Sequence, residues 1–521
     1  MSSRFAAVAV LALLTSALVA VPAARHVPAS VEAAIHQVSA DELRATVTAL
    51  ASDDMAGRGV GHPGNQQAEQ YIADAFRDAG VLPAAATYLQ PVEVYQPRLG
   101  TDARFTASTD GQSPLVDLTA GFDFYPLPES SDRAVTGPLI PAGYGISAAA
   151  LHHDDYAGIS AAGAIVLVLD DAPETLRTRP GLSNVEKNEI ASLERKITDA
   201  QKHGAAGLIV MRQFMGDVEG TWPSHPSVRS ASYRLFAPMG AHPLAVAAIS
   251  ETAAAPLRRA VQARQAVTAK LTPDVIAHPI VMDNILGMVE GRLGQTEMVV
   301  VGAHLDHDGL DEAGRIYNGA DDNASGTAAV LAMASAFARA AAQGVRPARA
   351  VVFALWNGEE KGSLGAEHYV TSPVPARRIV ANVNLDMVGR NEDVPDPDDA
   401  RFRGFARTSA ARNTNVVHLL GYTYSPDLAR IFGRANETIK LTIKEDYDRD
   451  AQGLLHRSDN WPFLEHGVPA VFLTTGLHPD YHTPDDDTER IDFAKLERIT
   501  ELACRAAWIA ADGDAPRFKA Q

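Results

Sequence analysis

The sequence predicts an α/β protein, with a mixed, largely parallel sheet flanked by helices and a smaller α/β domain inserted into it. Three observations carry that prediction. From Asp283 onward, apolar runs of strand length alternate with stretches of helical periodicity. Between about residues 115 and 270 the pattern changes to short β-like runs divided by Gly and Pro. A chain of 521 residues is also too long for one ordinary core.

The elements follow in order. "MSSRFAAVAVLALLTSALVAVPAA" has a positive start at Arg4, a short apolar stretch from Phe5 to Val19 and small residues after it. This is the form of a cleaved export signal over residues 1–24, too short for the ~20 residues of a membrane span. The chain is therefore expected to be exported, to the periplasm or the medium, and not membrane-embedded once the signal is cut. "SADELRATVTALAS" reads as a helix, with Ser39 as N-cap and Glu42 closing a capping box. Residues 65–79 read as a second helix, stopped by Gly80. Gly59, Gly61 and Gly64 match a dinucleotide-binding spacing, but "ASDDMAGR" ahead of them is no buried strand.

In the middle segment, "GAIVLVLD" reads as a buried strand and "KITDAQKHGAAGLIVM" as helix, turn and strand. After Asp283, "DNILGMVEGR" and "EMVVVGAHLD" read as adjacent strands and "SGTAAVLAMASAFARAAAQ" as a long helix. "ARAVVFALWNGEE", "ARRIVANVNLDMVG" and "PAVFLTTG" complete the strands. Residues 391–404 form a polar loop expected to cover a site. The division is thus 1–24 signal, 35–114 and 275–512 main domain, and 115–270 insert.

Net charge of −18 argues against nucleic acid, which demands a basic surface. The single cysteine, Cys504, makes no internal disulfide and reads as a small buried hydrophobe. No G-x-S-x-G elbow and no H-E-x-x-H motif occurs.

Metal-type ligands cluster after the apolar runs. "VVVGAHLDHDG" offers His304 and Asp306, "NGADDNASG" Asp321 and Asp322, "FALWNGEEKG" Glu359 and Glu360, "VNLDMVG" Asp386, and "HPDYHTPDDD" His482. Each alone has an ordinary reading as a turn, a cap or a solvated charge. Together they do not, because active sites of open α/β sheets lie beyond the carboxyl ends of the strands. Asp386 sits in an apolar run, where a carboxylate needs a partner or a metal. Two zinc ions sharing one carboxylate need two His and three acids. His304, Asp322, Glu360, Asp386 and His482 supply that set, with Asp321 open as an alternative to Asp322. Glu359, beside ligand Glu360, is placed to take a proton from water activated by the metals.

"GAHLDHDG", "GADDNASGTAAVL", "NGEEKGSLGAEHY", "NLDMVGR" and "YHTPDDDTE" resemble, in order and approximate spacing, the motif series of the co-catalytic di-zinc exopeptidases. That family includes secreted bacterial aminopeptidases and, more distantly, glutamate carboxypeptidase II. The resemblance covers about residues 35–110 and 275–510. The middle segment resembles a protease-associated domain more weakly. The resemblance implies the zinc exopeptidase fold and two Zn2+ per chain. It implies that His304 and Asp386 bind one zinc, Glu360 and His482 the other, and that Asp322 bridges. Asp306 would orient His304. Tyr481 matches a position where some relatives stabilise the oxyanion. The implied activity is a zinc-dependent metallopeptidase acting on peptides, an aminopeptidase using a hydroxide bridged by two zincs, with Glu359 as base. Glu360, where carboxypeptidase-type relatives often carry Asp, leans toward aminopeptidase. The alternatives are a carboxypeptidase or dipeptidase, a one-zinc glutaminyl cyclase, or a receptor-like ectodomain without activity. Oligomeric state and side-chain preference are not legible.

Overall fold

The computed structural model describes residues 27–520 except 213–233, 236–243 and the single positions 112, 122, 128, 183, 295, 312, 400 and 451. The expected export signal, residues 1–24, lies outside the described residues.

Four parallel strands form the centre of a ten-stranded mixed sheet, in the spatial order Ala350–Trp356, Glu297–His304, Arg378–Leu385, Ala470–Thr474. Their alternation explains why both faces are covered. Val351, Phe353 and Leu355 join one apolar core with Val299, Val301 and Ala303. Val352, Ala354 and Trp356 join the other with Met298 and Val300. The first core takes helices Ala40–Leu50, Pro63–Asp78, Gly326–Ala342 and Phe493–Asp512. The second takes Tyr369 of helix Leu364–Thr371 and Phe463 of helix Asn460–Glu465. Strands buried on both faces read as continuous apolar runs, which is why the sequence marked them. Gly302 is required by one of these contacts, since a Cβ there would come within 2.4 Å of the Trp356 indole nitrogen.

The caps expected of the first helices are present. Ser39 Oγ accepts from the Glu42 amide at 3.2 Å, and Gly80 leaves helix Pro63–Asp78 with φ of 71°. Cys504 is buried and free in helix Phe493–Asp512.

The structure corrects one adjacency. Strands Val275–Val289 and Glu297–His304 are not neighbours; Ala350–Trp356 lies between them. The long helix Gly326–Ala342 makes a crossover that sets Ala350–Trp356 parallel to Glu297–His304, leaving only the outer side of Ala350–Trp356 for the antiparallel strand.

A second, eight-stranded sheet is entered and left through one antiparallel ribbon. Strand Leu89–Leu99 pairs with Val275–Val289, from Leu89↔Ile285 to Leu99↔Val275. Beyond that end the chain builds strands from Arg104–Ser108 to Thr268–Thr272, which pair with each other. The sheet therefore starts at Arg104, ahead of residue 115, because the hairpin of Arg104–Ser108 with Pro114–Thr119 lies on its edge.

Helix Pro63–Asp78 also buries a carboxylate. Glu69 accepts from the Asp283 amide at 2.9 Å and from Asn357 Nδ2 at 2.8 Å. Burial nevertheless pushes its carboxyl up to about 7. The folded state then holds the proton more tightly than the unfolded chain does. Stability is highest below pH ~4.5 and falls as pH rises toward 7, the cost staying constant above that. Glu69→Gln is expected to remove this dependence and to gain up to about 3 kcal/mol on the wild type between pH 5 and 8. Thermal denaturation across that range checks it; parallel curves would sink the reading.

Candidate metal centre

All four central strands end at one place. His304 is the last residue of its strand, Asp386 follows Leu385, and Glu359 and Glu360 follow Trp356 by three and four residues. His482 comes from the loop after Ala470–Thr474, and Asp322 from the turn leading into helix Gly326–Ala342.

Their donor atoms converge in pairs. His304 Nε2 lies 3.3 Å from Asp322 Oδ1 and 3.3 Å from Asp386 Oδ1. His482 Nε2 lies 3.1 Å from Asp322 Oδ2 and 3.5 Å from Glu360 Oε2. Asp322 thus offers one oxygen to each imidazole. Donors of His304, Asp322 and Glu360 lie within 4.8 Å of one another, as do those of Asp308, Glu360 and His482. Among the described residues, buried Asp386 Oδ1 has no hydrogen-bond partner. Two imidazole nitrogens among carboxylate oxygens are zinc-type donors, and separations of 3.1–3.5 Å fit the edges of a tetrahedron with bonds of about 2.0–2.1 Å. The residues fit two zinc ions, one beside His304 and Asp386, the other beside Glu360 and His482, with Asp322 reaching both.

Asp321 faces elsewhere. Its Oδ1 accepts from the Gly389 amide, and its Oδ2 lies 3.3 Å from His478 Nε2. Of the Asp pair, only Asp322 touches His304 and His482.

Asp306 has a different task from the one expected. Its carboxylate is 3.9 Å from His304 Nδ1, too far for a hydrogen bond. The Asp306 backbone carbonyl takes the imidazole instead, at 3.1 Å. The carboxylate accepts from the amides of Glu359 and Glu360, at 3.1 and 3.3 Å. The backbone turns at the strand end, so carbonyl and carboxylate serve different segments. Asp306 holds the turn that presents both glutamates.

Burial and mutual charge set the protonation. Burial raises Glu359 well above the ordinary carboxylate range, and Glu360, Asp459 and Asp386 push the same way. Burial opposes ionisation of Glu360 too, but His482 and His307 outweigh it and hold that carboxyl down at about 2. The two neighbours thus differ in charge affinity by their surroundings. Tyr481 lines the same cleft, and burial raises its hydroxyl well above 10, keeping it a donor.

Three contributors were given no chemistry from the sequence, Ser458 being read there only as a support of the site. His307 Nδ1 lies 2.8 Å from Glu360 Oε1, Asp308 Oδ2 lies 3.2 Å from His482 Nδ1, and Ser458 Oγ donates to Asp386 Oδ2 at 2.6 Å. Four polar residues in five, from His304 to Asp308, were the signal for the first two. The loop expected over the site is tied to it near one end, the Asp393 amide donating to the carbonyl of Leu477, which lines the cleft.

Residues 284–507, which carry all five expected ligands, match the model described as Peptidase family M28. The chain is 26% identical over 356 residues to an aminopeptidase of Pseudomonas aeruginosa, covering 65% of this chain and 55% of that protein. It is 26% identical over 234 residues to aminopeptidase YwaD of Bacillus subtilis, covering 43% of this chain and 44% of that one. The chain therefore spans about half the length of the curated relatives it matches. In fold it is similar to the aminopeptidase from Aneurinibacillus sp. strain AM-1, with a TM-score of 0.53 at 18% identity over 94% of this chain and 98% of that one. Residues 284–507 thus match peptidase family M28, and that match together with the aminopeptidase relatives supports a zinc exopeptidase family.

Proposed function

We propose that the protein is an exported zinc aminopeptidase holding two zinc ions. His304, Asp386 and Asp322 are the proposed ligands of one ion, and Glu360, His482 and Asp322 those of the other. Zinc held there would polarise the scissile carbonyl and lower the pKa of the attacking water. Glu359 takes the proton from that water and returns it to the leaving amine. Tyr481 donates to the developing oxyanion. Asp306 keeps Glu359 and Glu360 on their separate tasks through their amides.

One observation carries the choice of aminopeptidase. The cleft brings Asp322, Glu359, Glu360 and Asp386 against the apolar walls of Met387, Leu454, Phe472 and Leu477, with Arg457 as its one Lys or Arg. Glu359, the one of these carboxylates not offered to a metal, suits a free amino terminus as an acceptor, and the apolar walls suit an uncharged side chain beside it. The eight-stranded sheet is our candidate for the protease-associated insert.

The test is a panel of unblocked and N-acetylated peptides, with zinc-loaded and chelated protein. Zinc-dependent release of the first residue from unblocked peptides alone is expected, fastest with apolar first residues. Release from the C-terminus, or cyclisation of N-terminal glutamine, would move the protein to a carboxypeptidase or a glutaminyl cyclase.

A further inference from the structure

The segment ahead of the family match supplies what holds the ligand loops in register. Arg58 is 1% exposed and, among the described residues, touches no carboxylate. Its guanidinium donates to four main-chain carbonyls. Nε donates to Leu305 at 2.8 Å, Nη1 to Leu50 at 2.6 Å and to Asn318 at 2.7 Å, and Nη2 to Gly319 at 2.9 Å. Leu305 follows His304 in the chain, while Asn318 and Gly319 lead into the turn of Asp322. One rigid, planar group thus ties together the two segments whose side chains meet at 3.3 Å, His304 Nε2 and Asp322 Oδ1.

A second tie reaches the glutamates. Asn65 Nδ2 donates to the Arg58 carbonyl at 2.9 Å. The Asn65 and Asn357 amides also pair reciprocally, at 3.0 and 2.9 Å. Asn357 stands two residues before Glu359.

The backbone bends to deliver these groups. Ala56, Gly57 and Arg58 all have positive φ, of 45°, 66° and 52°. Two of the three are not glycine, and such a run persists only where the surroundings impose it. The surroundings are tight: a Cβ on Gly57 would come within 2.5 Å of the carbonyls of Gly309 and Tyr317.

We propose that Arg58 is a positioning residue for the metal centre, setting the distance between the His304 and Asp322 loops, with Asn65 carrying the same register to the Glu359–Glu360 turn. The proposal rests on the two-zinc reading, and it assigns a part in that centre to residues outside 284–507. Groups that orient ligands cost about 10–100-fold in metal affinity when removed.

The experiment compares the full-length wild type with Arg58→Lys, which keeps the charge but replaces the fork with a single ammonium. Zinc affinity is measured by competition with a chromophoric chelator, and the visible absorption of the Co(II)-substituted protein reports ligand geometry. Circular dichroism monitors the fold. Arg58→Lys is expected to stay folded, to bind zinc about 10–100-fold more weakly and to shift the Co(II) bands. A merely structural arginine would lower the melting temperature and leave the affinity and the spectrum as they are; that result overturns the proposal. Should Arg58→Lys not fold, Asn65→Ala decides, by weaker zinc and altered Co(II) bands if the register passes through Asn65, and by wild-type values if it does not. A wild type that binds no zinc would instead overturn the two-zinc reading itself.

Discussion

Glu359→Gln is expected to bind zinc as the wild type does and to lose a factor of about 10²–10⁴ in kcat. The substitution is nearly isosteric. The anchors that hold the turn act on the backbone, since Asp306 accepts from the amides of residues 359 and 360. The geometry of Glu360, held by His307 and His482, is left in place. What disappears is a buried group able to take up a proton, since burial raises the Glu359 carboxyl well above the ordinary range. Glu360→Gln is the control. It weakens the pair with His482, so its loss should appear first in zinc content and only then in rate. The measurement is kcat beside zinc per chain for both variants. Wild-type turnover by Glu359→Gln would remove the base assignment.

Asp322→Ala should cost the protein both metals at once. Asp322 gives one carboxylate oxygen to His304, at 3.3 Å, and the other to His482, at 3.1 Å, so it stands between the two halves of the centre. Metal that binds only the folded state stabilises it by about 4 kcal/mol at a thousandfold excess over its dissociation constant. The wild type should therefore melt higher with zinc than with chelator, and Asp322→Ala should melt alike in both. Less than one zinc per chain and no detectable peptidase activity are expected. The backbone of the turn has its own support, since Asp486 accepts from the amides of Asp321 and Asp322. The variant should consequently fold, and the loss can be read as loss of metal. A variant that still binds two zincs would pass the bridging role to another carboxylate, with Asp308 first in line because its donor lies within 4.8 Å of those of Glu360 and His482.

The half that carries the candidate metal centre was open to reading because its signals are local. A strand buried on both faces must be apolar throughout, so Val299–Val301 and Val351–Leu355 announce themselves. Ligands placed just after such runs share the sheet's carboxyl edge by topology alone, and His304, Glu360 and Asp386 do. The order of strands was less accessible. It depends on which side a crossover helix falls, and the adjacency of Val275–Val289 with Glu297–His304 failed for that reason.

Composition and spacing by themselves determined the strands, the caps at Ser39 and Gly80, and the set of residues available for metal. Those are properties of short stretches, fixed by periodicity and by the chemistry of single side chains. The tertiary structure alone decided which Asp of the pair faces the imidazoles, that the Asp306 carboxylate serves the glutamate turn, and that Arg58 reaches carbonyls up to 261 positions away. A hydrogen bond's direction depends on where two distant backbones come to rest, and no local pattern of residues encodes that.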